Sequence, residues 1–431
     1  MRSELLLLGA VHMAMRPIGR IISISLVAAS LLAACGGSSD STSSPVVVQG
    51  VGVERIDAAM NAVMSRYAPP GIAVAVVRNG ALVFANAYGS ADIAGAEPLR
   101  PDHLFRIASV SKPVTGIAAL RAVDEGLLDP DAAAFEVLSA YLPQSGVDPR
   151  VEQITVRNLM HHTSGWNIWD FPDDPLFRSQ EISSALGVPM PVTPQDLTRW
   201  VATQPLAFDP GTAFAYTNIG YVVLGRVIEQ STGFVYEDFV QRFVMEPAGI
   251  TQAQLGGITR AERRPNEVEY ESFQNSIWTS VFDGVSSVSE PAYGGINLVG
   301  FDASSAWLMS AVDLVKLVAA ADGDSAYADM ISQESFDLMK TVGTPAGVMP
   351  LIGVAWYLGT DGSGNVVKWD HAGGMPGSTA YVTRLPSGVI FAVVSNTSRA
   401  APFFDDLAVG MTNAVEGISV WPNTDLFPRF P

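Results

Sequence analysis

Ser109-Val110-Ser111-Lys112 sets a hydroxyl three residues before an amine. The stretch lies in an apolar setting, with Phe105-Arg106-Ile107-Ala108 before it and Pro113-Val114-Thr115-Gly116-Ile117 after it. Residues i and i+3 share one face of a helix, so a helix opening at Ser109 brings the Lys112 amine to the serine Oγ. Enclosure disfavours the ammonium form of a lysine, and a neutral amine beside a serine is a general base beside a nucleophile. The chain has four lysines, Lys112, Lys316, Lys340 and Lys368, and only Lys112 follows a serine at this spacing. Taken alone, the same four residues also describe a capping serine followed by a solvated lysine. The difference lies in the company they keep elsewhere in the chain.

With 431 residues, 48 % of them apolar and 16 % charged, the chain can bury a large core in one big domain or two smaller ones, and extensive disorder is excluded. A net charge of −18 argues against nucleic acid and against adsorption to anionic membrane surfaces. Cys35 is the only cysteine, which removes a disulfide framework and a thiolate metal site. His161 and His162 are adjacent and diverge on most backbones, and His-Glu-x-x-His does not occur. No metal-ligand cluster is therefore expected.

Residues 1–34 read as a leader. Arg16 and Arg20 form a basic region, Ile21 to Leu32 an apolar core too short to span a bilayer. Met13 and Met15 are alternative starts. Leu32-Ala33-Ala34-Cys35 resembles the bacterial lipoprotein box, in which the cysteine is lipidated. The Ser/Gly-rich stretch 35–51 reads as a flexible tether. The expectation is a cell-envelope protein anchored by acyl chains, at the outer membrane because Gly36 rather than aspartate follows the cysteine, with its body in the periplasm or at the surface.

Val53 to Met64 carries apolar residues at helical spacing and is broken by Pro69-Pro70-Gly71. Ile72–Val77 and Ala81–Tyr88 flank Arg78-Asn79-Gly80, a hairpin signature. Thr379–Leu385 and Val389–Val394 flank a Pro386-Ser387-Gly388 turn, a second hairpin, and Asp405–Val415 predicts a covering helix. Thr193 with Pro194, and Ser310 with Asp313, are helix starts. Strands at both ends with helices between predict an α+β body, an antiparallel sheet flanked by helices, plus a mostly helical lobe. Residues 257–300 lack a period and read as an insertion or lid-like loop.

Tyr216-Thr217-Asn218 is the only Tyr-x-Asn of the chain and precedes a helix, while His371-Ala372-Gly373-Gly374 reads as a glycine-rich edge at the start of a strand, open to close backbone approach. Together with the Ser-x-x-Lys stretch, and in this order, these motifs resemble the penicillin-recognising serine hydrolases: class C β-lactamases, D-alanyl-D-alanine carboxypeptidases, D-aminopeptidases and β-lactamase-like esterases. Pro70–Val77, Ile154–Gly165 and Gly220–Gly225 agree with that family's text, and the resemblance covers residues 52–416, leaving 417–431 as a tail.

The resemblance implies a β-lactamase/transpeptidase-like fold with Ser109 as acyl-accepting nucleophile, Lys112 as its base and Tyr216 as a second proton shuttle. Asn218 would orient Lys112 and the substrate, His371 would stand at the rim where many relatives carry lysine, and Gly373 and Gly374 would supply the oxyanion edge. One departure bears on specificity. Ala372 has no hydroxyl for a substrate carboxylate, and histidine is mostly neutral at pH 7. The expected function is an esterase-like serine hydrolase of small esters or amides. The alternatives are a β-lactamase or D,D-peptidase acting on cell-wall peptides, and a catalytically idle envelope binding protein. No Gly-x-Ser-x-Gly elbow is present to suggest an α/β-hydrolase.

Overall fold

The computed structural model describes residues 51–143, 145–167, 175–271, 278–288, 290–399 and 401–430. The leader, Cys35 and all of the tether but Val51 lie outside the described residues. Helix α1 (Glu54–Tyr67) buries Ile56, Met60 and Val63, one stripe of its surface, and stops at Ala68, just before the two prolines. Strands β1 (Gly71–Arg78) and β2 (Ala81–Gly89) form the first hairpin, and Asn79 and Gly80 both take positive φ, 50° and 72°, as a two-residue turn of the type I′ kind requires.

A helical region follows: α2 (Ser111–Asp124), α3 (Pro194–Ala202), α4 (Asn218–Thr232) and α5 (Ala311–Ala319). Thr193 and Ser310 cap α3 and α5 with reciprocal bonds to Asp196 and Asp313, as their sequences predict. The chain then returns to the sheet with β3 (Tyr357–Thr360), β4 (Val366–Met375), β5 (Ser378–Arg384) and β6 (Ile390–Ser395), and closes with α6 (Ala401–Glu416). The six strands are antiparallel in the order β2-β1-β6-β5-β4-β3, so the first hairpin pairs with the last strand.

Both faces of the sheet are covered, which explains why β1 reads as an unbroken apolar run. Its large residues Ile72, Val74 and Val76 pack with α1 and α6. Its small or opposite-facing residues Ala73, Ala75 and Val77 belong to the core shared with α2 and α5. Alanines on that face let the helices approach the backbone. The fold is α+β, an antiparallel sheet flanked by helices with a helical lobe on one side.

Two features differ from the sequence reading. His371-Ala372-Gly373-Gly374 does not start a strand: it is the final part of β4, and the turn into β5 is Pro376-Gly377. Adjacent alanine and glycines carry too little β propensity to reveal a strand. Residues 257–300 carry a short hairpin, Trp278–Thr279 with Ser287–Val288, and are pinned to the body by buried Arg106, which donates to the carbonyls of Gly257 and Ala292.

Candidate active site

Ser109 lies in a single 3₁₀ turn, Ala108–Val110, that feeds directly into α2. Ala108 holds a left-handed φ of 49°, a conformation that costs a non-glycine residue about 1 kcal/mol or more. Neighbouring structure holds it in place. Ile107 N–H donates to Trp307 O, Ser111 Oγ accepts from Trp307 N–H, and Ser378 Oγ donates to the Arg106 carbonyl. Ser109 is half-buried between buried neighbours.

Lys112 is fully buried, one turn along. Its Nζ lies 3.1 Å from Ser109 Oγ, 2.7 Å from Asn218 Oδ1 and 3.1 Å from the Ser304 carbonyl, and 4.9 Å from the centre of the Tyr216 ring. Asn218 is the first residue of α4, so the Tyr216-Thr217-Asn218 motif arrives at the lysine as the mouth of that helix. Ser304 belongs to the short helix Asp302–Ser305, which is clamped by the buried Arg226–Asp302 ion pair (2.7 Å) and by Thr115 donating to Ala303 O. This carbonyl was invisible in the sequence, because every residue has one.

Strand β4 closes the other side. A Cβ added to Gly373 would fall 2.2 Å from Ile107 O and 3.1 Å from Ser109 N, so only glycine permits this approach. Met375 pairs with Ser378 across the two-residue turn, and β3 pairs with β4 no further than Asp370. Ladder alternation then turns the N–H of Gly374 away from β5, toward the open edge. Ser109, in the turn before α2, and Gly374, on that edge, are the candidate backbone donors to a substrate oxygen.

His371 is a correction. It is not at the rim: only 2 % of it is exposed, because side chains of β4 alternate and its own falls on the covered face with Gly373. Burial first, and the charge of Lys112 second, push its pKa down to about 3. The ring is neutral, and its Nδ1, 2.7 Å from the Ala372 carbonyl, must be the protonated nitrogen, which leaves Nε2 an acceptor. The unfolded chain binds a proton here below the ordinary value of 6.5 and the folded chain does not. Stability is therefore full above that pH and falls as the pH drops from 6.5 toward 3, by about 1.4 kcal/mol per unit. His371→Gln removes this titration. In urea unfolding, the stability gap between parent and variant should shrink by about 2 kcal/mol from pH 6.5 to pH 5; a gap independent of pH overturns the assignment.

The structure thus brings Ser109, Lys112, Tyr216, Asn218, His371 and Gly373 into one place. It adds Ser304 and His162, whose ring lies on that of Tyr216 with centroids 4.5 Å apart. His161 points elsewhere, its ring nitrogens near the carbonyls of Arg157 and Thr341. Among the described residues, no three His, Cys, Asp or Glu side chains cluster as metal ligands would.

Comparison with known proteins places this geometry. Esterase EstB of Burkholderia gladioli is 31 % identical over 227 residues, covering 51 % of this chain and 55 % of that protein. The D-aminopeptidase of Brucella ovis is 34 % identical over 203 residues, covering 46 % of this chain and 36 % of that protein. The chain spans about half the length, or less, of these curated relatives. The octameric penicillin-binding protein homologue from Pyrococcus abyssi has the same fold, with a TM-score of 0.65 at 22 % identity over 84 % of this chain and 77 % of that one. The family model described as Beta-lactamase matches residues 56–416, from α1 through every residue of the site to the end of α6, and the chain belongs to that family.

Proposed function

We propose that the chain is a serine hydrolase that cleaves small, uncharged esters through an acyl-enzyme on Ser109. The observation that carries the reading is the buried Lys112 amine held between Ser109 Oγ and Asn218 Oδ1. In the forward step Ser109 Oγ attacks the ester carbonyl and its proton passes to Lys112 Nζ, in the molecules whose amine is uncharged. The oxyanion forms against the N–H groups of Ser109 and Gly374. Collapse breaks the bond to the alcohol, which leaves with a proton from the Tyr216 hydroxyl, and Lys112 returns a proton to Tyr216. Water then attacks the acyl-enzyme by the reverse proton path, releasing the acid and restoring Ser109.

The preference for uncharged esters rests on β4. A neutral His371 with an acceptor Nε2 offers no cation to a substrate carboxylate, and Ala372 offers no hydroxyl. EstB, an esterase, is among the similar proteins. The D-aminopeptidase supports a second reading, amide cleavage in small peptides. Assays of the parent protein on p-nitrophenyl butyrate, a chromogenic cephalosporin and a D-Ala-D-Ala peptide separate these. Ester turnover should exceed the other two by about 100-fold, the factor that corresponds to one missing hydrogen bond to a charged group, about 2.7 kcal/mol. Faster cephalosporin or peptide turnover overturns the ester preference. Absence of all turnover, together with no labelling by a fluorophosphonate, overturns the hydrolase reading in favour of a binding protein.

A further inference from the structure

We propose that His162 is a positioning residue that holds Tyr216 beside Lys112, so that the tyrosine can serve the leaving group. The proposal rests on the hydrolase reading above, in which Tyr216 is the general acid.

Three consecutive residues of the Tyr216 loop are tied to this one histidine. Ala215 N–H donates to the His162 carbonyl at 3.0 Å. The Tyr216 ring lies on the imidazole at 4.5 Å, tilted by 31°. Thr217 N–H donates to His162 Nδ1 at 3.3 Å. The backbone on both sides of Tyr216 and the ring between them are therefore gripped from one point. Tyr221, in the first turn of α4, packs on the same imidazole at 4.9 Å and donates its hydroxyl to Met160 O at 2.7 Å. The start of α4, and with it Asn218, is thereby fixed to the segment that carries His162.

The backbone at His162 is arranged for this. Its φ is 56°, a left-handed conformation uncommon outside glycine and best tolerated by asparagine, aspartate and histidine, and its side chain is buried. Such a conformation persists only where the surroundings enforce it. A nitrogen that accepts an N–H bears no proton, so Nδ1 is bare and the ring is the neutral Nε2–H form. Burial first, then the nearby Lys112 charge, hold the ring's pKa well below the ordinary value.

A positioning role and a merely structural one differ in which substrates suffer. A p-nitrophenolate leaves without help from an acid, whereas an alkoxide needs the proton. His162→Asn keeps the left-handed backbone and an acceptor for Thr217 N–H but removes the ring from Tyr216. It should lower kcat/KM on ethyl butyrate, which reports acylation, by about 10- to 100-fold, at or below the low end of the roughly 10²- to 10⁴-fold contribution of a general acid, because the tyrosine is displaced and not removed. On p-nitrophenyl butyrate kcat/KM should fall less than about threefold, with fluorophosphonate labelling of Ser109 retained; kcat is not the readout, because both esters share one butyryl-enzyme and its hydrolysis. In a Tyr216→Phe background the same substitution should change ethyl butyrate turnover less than about twofold, because the group being held has lost its proton. Equal losses on the two esters, or an undiminished effect in the Tyr216→Phe background, overturn the proposal. If the asparagine variant fails to fold, His162→Phe, which keeps a ring on Tyr216 and removes the acceptor, carries the same comparison. A parent protein that hydrolyses neither ester and takes no fluorophosphonate would instead mark failure of the hydrolase reading.

Discussion

Ser109→Ala should lower ester turnover by about 10⁴-fold or more and abolish fluorophosphonate labelling, with the fold intact. Ser109 is the half-buried hydroxyl in an otherwise buried stretch, and its removal takes away the hydroxyl that lies 3.1 Å from Lys112 Nζ. Asn218 Oδ1 and the Ser304 carbonyl, which also lie on Nζ, are not nucleophiles. Lys112→Met should fall nearly as far, by about 10³- to 10⁴-fold, because serine and lysine act as one unit and their losses do not add. The methionine fills the space but leaves Asn218 Oδ1 and Ser304 O without the amine, at about 1–3 kcal/mol for each buried acceptor left unpaired. Thermal melts should therefore separate the two variants. Turnover and labelling that survive Ser109→Ala would place the nucleophile elsewhere.

Gly373→Ala should lower kcat by about 10²- to 10³-fold, the cost of losing one oxyanion donor, although alanine adds only a methyl group. That methyl would sit 2.2 Å from Ile107 O, where both neighbours are backbone and cannot rotate away. Strand β4 must move outward, and the Gly374 N–H leaves its distance from Ser109. Gly362→Ala, in the loop between β3 and β4 with nothing within 4 Å of its added Cβ, provides the control and should leave kcat unchanged. Equal activity of the two variants would show that β4 does not form the oxyanion edge.

These effects depend on contacts of unequal legibility. The Ser109–Lys112 contact spans three residues, and helical periodicity alone predicts it. The same holds for the Asn79-Gly80 turn and the Thr193 and Ser310 caps, where the chemistry is confined to a few neighbouring residues. The Lys112–Asn218 contact closes over 106 residues and the Lys112–Ser304 contact over 192. Only the resemblance of the Tyr-x-Asn motif pointed to the first, and nothing pointed to the second. The paired histidines were visible but read as poor metal ligands; that one of them grips Tyr216 needed the left-handed backbone at His162 and the return of the loop 215–217 along it.

The amino-acid sequence by itself determined the hairpins, the helix starts, the serine–lysine pair and the family. Each depends on periodicity, turn chemistry or motif order, which act over short stretches or can be read directly along the chain. Tertiary structure alone decided the end of β4, the burial and neutral state of His371, the Ser304 carbonyl on Lys112 and the hold of His162 on Tyr216. Those follow from which surfaces meet when the first hairpin pairs with the last strand and the helical lobe closes on the sheet. Burial and close approach are properties of that closure, and a local stretch of residues does not encode them.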